Sequence, residues 1–128
     1  MNESAAKYIK AIYALKQRCD CVRSVDVARE LGVTKASVSI AMANLRKSKM
    51  IEMKESGEIM LTQDGETIAV DIYERSRILS DFLRRIAGVD EATAIRDAGK
   101  MERFMSRATY EGIKRFIKKD LEAKKRYL

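Results

Sequence analysis

Two short helical patterns, separated only by Leu31-Gly32-Val33-Thr34, set the architecture open to this chain. Ser24 reads as an N-cap for the first, with Val25, Val27, Ala28 and Leu31 on its inward face. Gly32 follows its last turn, where a left-handed residue closes a helix. Thr34 caps the second, in which Val38, Met42 and Leu45 form a buried stripe and Ala41 permits close helix contact. This is helix-turn-helix spacing. Behind it, Ile51-Glu52-Met53-Lys54 and Ile59-Met60-Leu61-Thr62 alternate in polarity around Glu55-Ser56-Gly57-Glu58. That pattern predicts a β-hairpin, and a hairpin in this place is the wing of a winged helix.

The rest of the chain reads as helices. One runs from Ser4, as cap, to about Arg18, with Tyr8, Ile9, Ile12, Tyr13 and Leu15 on one face. Thr62 caps a long helix over about Gln63–Ala87, whose apolar stripe is Ile68, Ile72, Leu79, Phe82, Leu83 and Ile86, and Gly88 ends it. Asp90 and Glu91 open a fifth helix through Ile95, Ala98, Met101 and Met105, interrupted in character by Gly99. A sixth begins between Ser106 and Thr109 and turns Ile113, Phe116, Ile117 and Leu121 inward. The absence of proline and only six glycines agree with helices joined by short turns.

Composition limits the function classes. Hydrophobic residues make up 46% of the chain, enough for a packed interior, and the net charge of +7 favours a polyanionic partner, nucleic acid or an acidic membrane. No apolar run approaches a membrane span, and the N-terminus shows no charged-then-apolar leader, so the expected location is the cytoplasm, with no membrane partner. Histidine is absent, and no nucleophile–base pair, glycine-rich phosphate loop or metal-ligand cluster is evident, so no enzyme is expected. Cys19 and Cys21 are too close for an ordinary structural disulfide and too few for a structural zinc site. They read as small apolar residues or as a thiol redox switch before the second helix. The seven methionines read as core filler.

In a helix-turn-helix the second helix enters the major groove and its N-terminal turns face base edges. The residues expected there are Thr34, Lys35, Ala36, Ser37, Ser39 and Ile40. Lys35 can donate to guanine or phosphate, the serines can bond either, and Ala36 and Ile40 can meet a thymine methyl. Asn44 and Lys47 are expected at the DNA backbone, and Lys54 and Ser56 on the wing. Between Lys35 and Lys54 five basic residues stand against the single acid Glu52, the local excess that counterion release requires.

Several runs resemble the diphtheria toxin repressor family of iron- and manganese-dependent repressors. Lys7-Tyr8-Ile9-Lys10-Ala11-Ile12-Tyr13-Ala14-Leu15 is similar to its first helix. Val25-Asp26-Val27-Ala28, Leu31-Gly32-Val33, Ser37-Val38-Ser39 and Leu45 are similar to its helix-turn-helix. Leu61-Thr62 with Gly65 resembles the exit from its wing. Phe82-Leu83 and Gly88-Val89-Asp90-Glu91 resemble the entry to its dimerisation helices. The likeness covers nearly the whole chain and is strongest to the manganese transport regulator branch.

The resemblance implies a mainly α fold: an N-terminal winged helix-turn-helix with a small β-hairpin wing (residues 1–63), followed by a helical dimerisation domain (residues 64–128). It implies a homodimeric regulator of transcription, most simply a repressor, on a pseudo-palindromic double-stranded DNA operator, with dimer contacts around residues 90–105. It also implies a metal between the first helix and the dimerisation helices. At the positions that would hold it, this chain has Lys7, Lys10, Ser76, Gly99, Glu102 and Arg103. One carboxylate among cations is a poor divalent site, so the expectation is no metal and no cofactor. Lys7, Lys10 or Arg103 would instead pair with Glu102, Asp71 or Glu74, or the cluster would bind an anion. A winged helix serving as a protein-interaction adaptor is the remaining alternative.

Overall fold

The computed structural model describes residues 2–126. Among the described residues, six α-helices and one two-stranded sheet follow in the order α1 (Glu3–Arg18), α2 (Ser24–Leu31), α3 (Lys35–Lys47), β1 (Ile51–Met53), β2 (Ile59–Leu61), α4 (Gln63–Phe82), α5 (Glu91–Phe104) and α6 (Arg107–Arg126). A π-helical turn, Leu83–Ala87, extends α4. The chain is mainly α, with an N-terminal winged helix-turn-helix and helices after it, as expected. Its compact units divide between Tyr73 and Glu74, inside α4 and ten residues beyond the boundary read from sequence.

In the first unit, α1 begins earlier than expected. Asn2, not Ser4, is its cap, and the Asn2 carboxamide oxygen accepts from the Ala5 N–H at 2.8 Å. Ser24 likewise lies inside α2. Arg23 is the capping position, and its N–H donates to the Asp26 carboxylate at 2.9 Å. Gly32 closes α2 with φ +63°, as its position predicted. Thr34 caps α3 through its Oγ1, which accepts from the Ser37 N–H at 3.1 Å. The core holds Ile9, Ile12, Leu15, Val22, Val27, Val38, Met42, Leu45, Ile51 and Ile59, so α1, α2, α3 and the hairpin share one interior. Val25, expected inward, is 43% exposed.

β1 and β2 are antiparallel, with Ile51 opposite Leu61, Glu52 opposite Met60 and Met53 opposite Ile59. Val22, in the α1–α2 connection, extends this pairing, since its carbonyl accepts from the Ile59 N–H at 2.8 Å.

The second unit packs Leu79, Ala98 and Tyr110 together, with Ile78, Leu83, Met105 and Ile113 against them. Within it Arg75 lies 4.7 Å above the Tyr110 ring, Lys114 pairs with Glu74 at 2.9 Å, and Arg85 pairs with Asp120 at 3.3 Å. Gly99 does not interrupt α5. Ile86, Ile95 and Phe116, of which sequence had turned Ile86 and Phe116 inward and carried Ile95 along the fifth helix, are about half exposed at 52%, 56% and 49%. The widening of the helix at Leu83–Ala87 rotates Ile86 off the even stripe assumed for it.

Candidate nucleic-acid interface

α3 is held to the core by one face alone. Val38, Met42 and Leu45 are buried, whereas Lys35, Ala36, Ser37, Ser39, Ile40, Asn44 and Lys47 are exposed. The structure thus brings together on one accessible surface every residue that helical spacing had turned outward. Ile40 is 65% exposed, which leaves its side chain accessible on this face. The first turn of α3 carries no acid, and Arg46 and Lys47 lie in its last turn.

Hydrogen bonding sorts the polar groups. Thr34 Oγ1 donates to Ser37 Oγ at 2.9 Å and accepts from the Ser37 N–H, so this pair is committed to the helix start. Ser39, by contrast, stands exposed on the second turn. The Asn44 main-chain carbonyl accepts from the Ser48 hydroxyl at 3.1 Å, and the residue itself is exposed.

On the wing, Ser56 Oγ accepts from the Glu58 N–H at 3.4 Å. Lys54 Nζ lies 3.7 Å from the Glu58 carboxylate. The lysine end of this pair is exposed and the separation is long, so the contact is worth about 1 kcal/mol or less and can be exchanged for a phosphate.

The wing's placement depends on a junction that sequence spacing does not mark as functional. Lys49 adopts φ +59° between α3 and β1. Thr62 Oγ1 donates toward the Lys49 carbonyl at 2.8 Å and lies 3.1 Å from the Met50 carbonyl, while accepting from the Gly65 N–H at 3.0 Å. One threonine therefore ties the end of the reading helix, the first wing strand and the start of α4. An open cleft of about 790 Å³ beside it is lined by Arg46 and Lys49, but also by Glu52 and Asp64. Its mixed charge separates it from the acid-free α3 face.

The residues read as a former metal position fall in both units. In the first, Lys7 is exposed and Lys10 half-buried on α1. In the second, Ser76 is on α4 and Gly99, Glu102 and Arg103 are on α5. Glu74, one of the acids expected to answer these cations, is instead paired with Lys114. A buried Oε1 of Glu102 has no hydrogen-bond partner. Among the described residues no group of three or more His, Cys, Asp or Glu side chains lies close enough to hold a metal ion. No helix among them is long and apolar enough to cross a membrane.

Comparison with known proteins gives this geometry a setting. A family model described as the iron dependent repressor N-terminal DNA binding domain matches residues 1–58. The iron dependent repressor metal binding and dimerisation domain matches residues 62–122. The chain is 33% identical over 112 residues to the transcriptional regulator MntR of Escherichia coli O6:H1, covering 88% of this chain and 72% of that protein. Among solved structures it resembles IdeR of T. acidophilum, with TM-score 0.77 and 25% identity over 91% of this chain and 54% of the other. It also shares its fold with a manganese-dependent transcriptional repressor in complex with manganese, with TM-score 0.77 and 24% identity over 85% of this chain and 50% of that one. The chain thus spans about half the length of these solved chains.

These findings correct the expectation of no metal cofactor. The matching second domain is a metal-binding one, and the manganese repressor holds its metal on the same fold. The relatives are regulators rather than enzymes, in keeping with the expectation from sequence.

Proposed function

This chain belongs to the iron dependent repressor family, which includes MntR and IdeR, and on that premise we propose that it represses transcription as a homodimer on a pseudo-palindromic DNA operator. The observation that carries the reading is the exposed, acid-free N-terminal half of α3, followed by a wing that carries Lys54. Lys35, Ser39 and Ile40 would face base edges in the major groove, with Thr34, Ala36 and Ser37 around them at the helix start. Asn44, Lys47, Lys54 and Ser56 would meet the sugar-phosphate backbone. Residues 1–63 would form the DNA-binding domain and residues 64–128 the dimerisation domain, with α5 and its flanks, about residues 90–105, at the twofold interface. A symmetric pair presents two reading helices to two half-sites, which is why a pseudo-palindrome is expected.

The test is selection of a binding site from random duplex DNA, followed by titration across salt concentrations. Manganese is included in the titration because a repressor of this fold is manganese-dependent. Lys54→Ala should weaken binding evenly across sequences and lower the salt slope by about one. Lys35→Ala should cost about 1–3 kcal/mol on the selected site, with less effect on unrelated DNA if it reads a base. Retention of full site-specific binding by the Lys35→Ala/Lys54→Ala double variant would overturn this reading of the surface.

A further inference from the structure

Cys19 and Cys21 are used neither by the core nor by the reading surface. Both are free and exposed. They sit on the short connection between α1 and α2, where Cys19 is extended (φ −127°, ψ 140°) and its N–H still closes α1 on the Leu15 carbonyl at 2.8 Å. The chain then bends at Asp20 and Cys21.

The connection is anchored on both sides of the pair. Arg18 Nη2 bonds Glu30 at 2.8 Å, which pins the end of α1 to α2. Val22, fully buried, accepts from the wing strand at Ile59, and the Arg23 N–H is taken by Asp26. Two accessible thiols are thus presented from a backbone whose ends are fixed.

We propose that Cys19 and Cys21 form a two-thiolate site for a single soft monovalent cation of the Cu(I) class. A disulfide between residues this close would have to bring the sulfurs to about 2.05 Å and close a small strained ring. A bridging metal relaxes that demand, since two metal–sulfur bonds of about 2.3 Å let the sulfurs stand about 4 Å apart. Thiolates select soft cations, and a d10 monovalent ion is satisfied by two of them without further ligands. Binding is a proton exchange and not a redox step. Each thiol gives up its proton, two protons go to solvent, and the complex carries a net charge of −1 with copper still Cu(I). The exposed Arg23, two residues beyond Cys21, favours that charge and offsets the carboxylate of Asp20 between the thiols.

The experiment titrates the full, reduced chain with Cu(I) under anaerobic conditions against a chromophoric Cu(I) chelator. The wild-type chain should withdraw one equivalent of copper, release two protons and lose both thiols to a thiol-specific reagent. Cys19→Ser/Cys21→Ser should withdraw none, and each single variant should yield its copper to the competitor. Circular dichroism and urea unfolding identify any variant that fails to fold, which is not expected at two exposed positions. Equal uptake by the double variant would place the copper on methionines and overturn the proposal. So would one copper per two chains, or a wild-type chain that takes no copper.

Discussion

At the scale of single residues, the junction behind the reading helix concentrates the demands of the fold. Lys49 occupies the left-handed region, where a β-carbon crowds the backbone. Lys49→Gly should therefore stabilise the chain by about 0.5–1 kcal/mol, read as a higher urea midpoint, whereas Lys49→Ala should bring no such gain. Gly65 is the opposite case. A Cβ there would overlap the Met50 carbonyl oxygen and lie 2.9 Å from the carbonyl carbon, so backbone would have to move. Gly65→Ala should cost about 2–4 kcal/mol in the same measurement. Thr62 is the link between them, and Thr62→Val removes, at constant shape, both the hydroxyl's donation to the Lys49 and Met50 carbonyls and its acceptance from the Gly65 N–H. We expect that variant to loosen the wing, seen as faster amide exchange at Ile51 and Ile59 than at the α3 core.

At the scale of elements, caps decide where helices begin, and one cap carries a pH signature. Asp90 opens α5, and hydrogen bonds from the Thr93 hydroxyl and from its N–H, the latter at 2.8 Å, hold its carboxyl below the ordinary value. A depressed folded value means that the stabilising contribution is present above the ordinary carboxylate range. It is lost as pH falls through the folded value. Asp90→Asn keeps an acceptor but no charge, and should flatten this part of the acid dependence of the thermal midpoint. Asp90→Ala should lower the midpoint at neutral pH as well. A wild-type and Asp90→Asn pair with superimposable acid profiles would remove the cap from the explanation. The long fourth helix shows the limit of periodicity. Its stripe is regular through Leu79, but the π-helical turn at Leu83–Ala87 shifts the register, and Ile86 emerges into solvent.

At the scale of the molecule, the second unit leaves apolar surface uncovered in a single chain, with Phe104 at 89% exposure and Ile95 at 56%. Surface of this kind is a common mark of association, and it lies within the stretch proposed for the twofold interface. Ile95→Asp and Phe104→Asp should each shift the chain toward monomer in light scattering. Each should weaken operator binding while leaving the fold of the first unit intact. A dimer unaffected by both changes would move the interface elsewhere.

Local chemistry in the sequence determined much of this protein. Gly32, Thr34, Gly88 and Asp90 act through their own backbone preferences and nearest neighbours, so their positions predicted the helix ends that the structure shows. The outward set on α3 followed from the spacing of Val38, Met42 and Leu45, because a short helix with one buried stripe has its other faces decided at once. What needed the tertiary structure were facts created by residues far apart in the chain meeting. These are the Thr62 tie to Lys49 and Met50, the closeness of Gly65 to Met50, and the pairing of Glu74 with Lys114 rather than with the cations of the expected metal position. Periodicity reports which face of an element is apolar. Which distant group that face meets, and at what distance, is decided only when the whole chain packs.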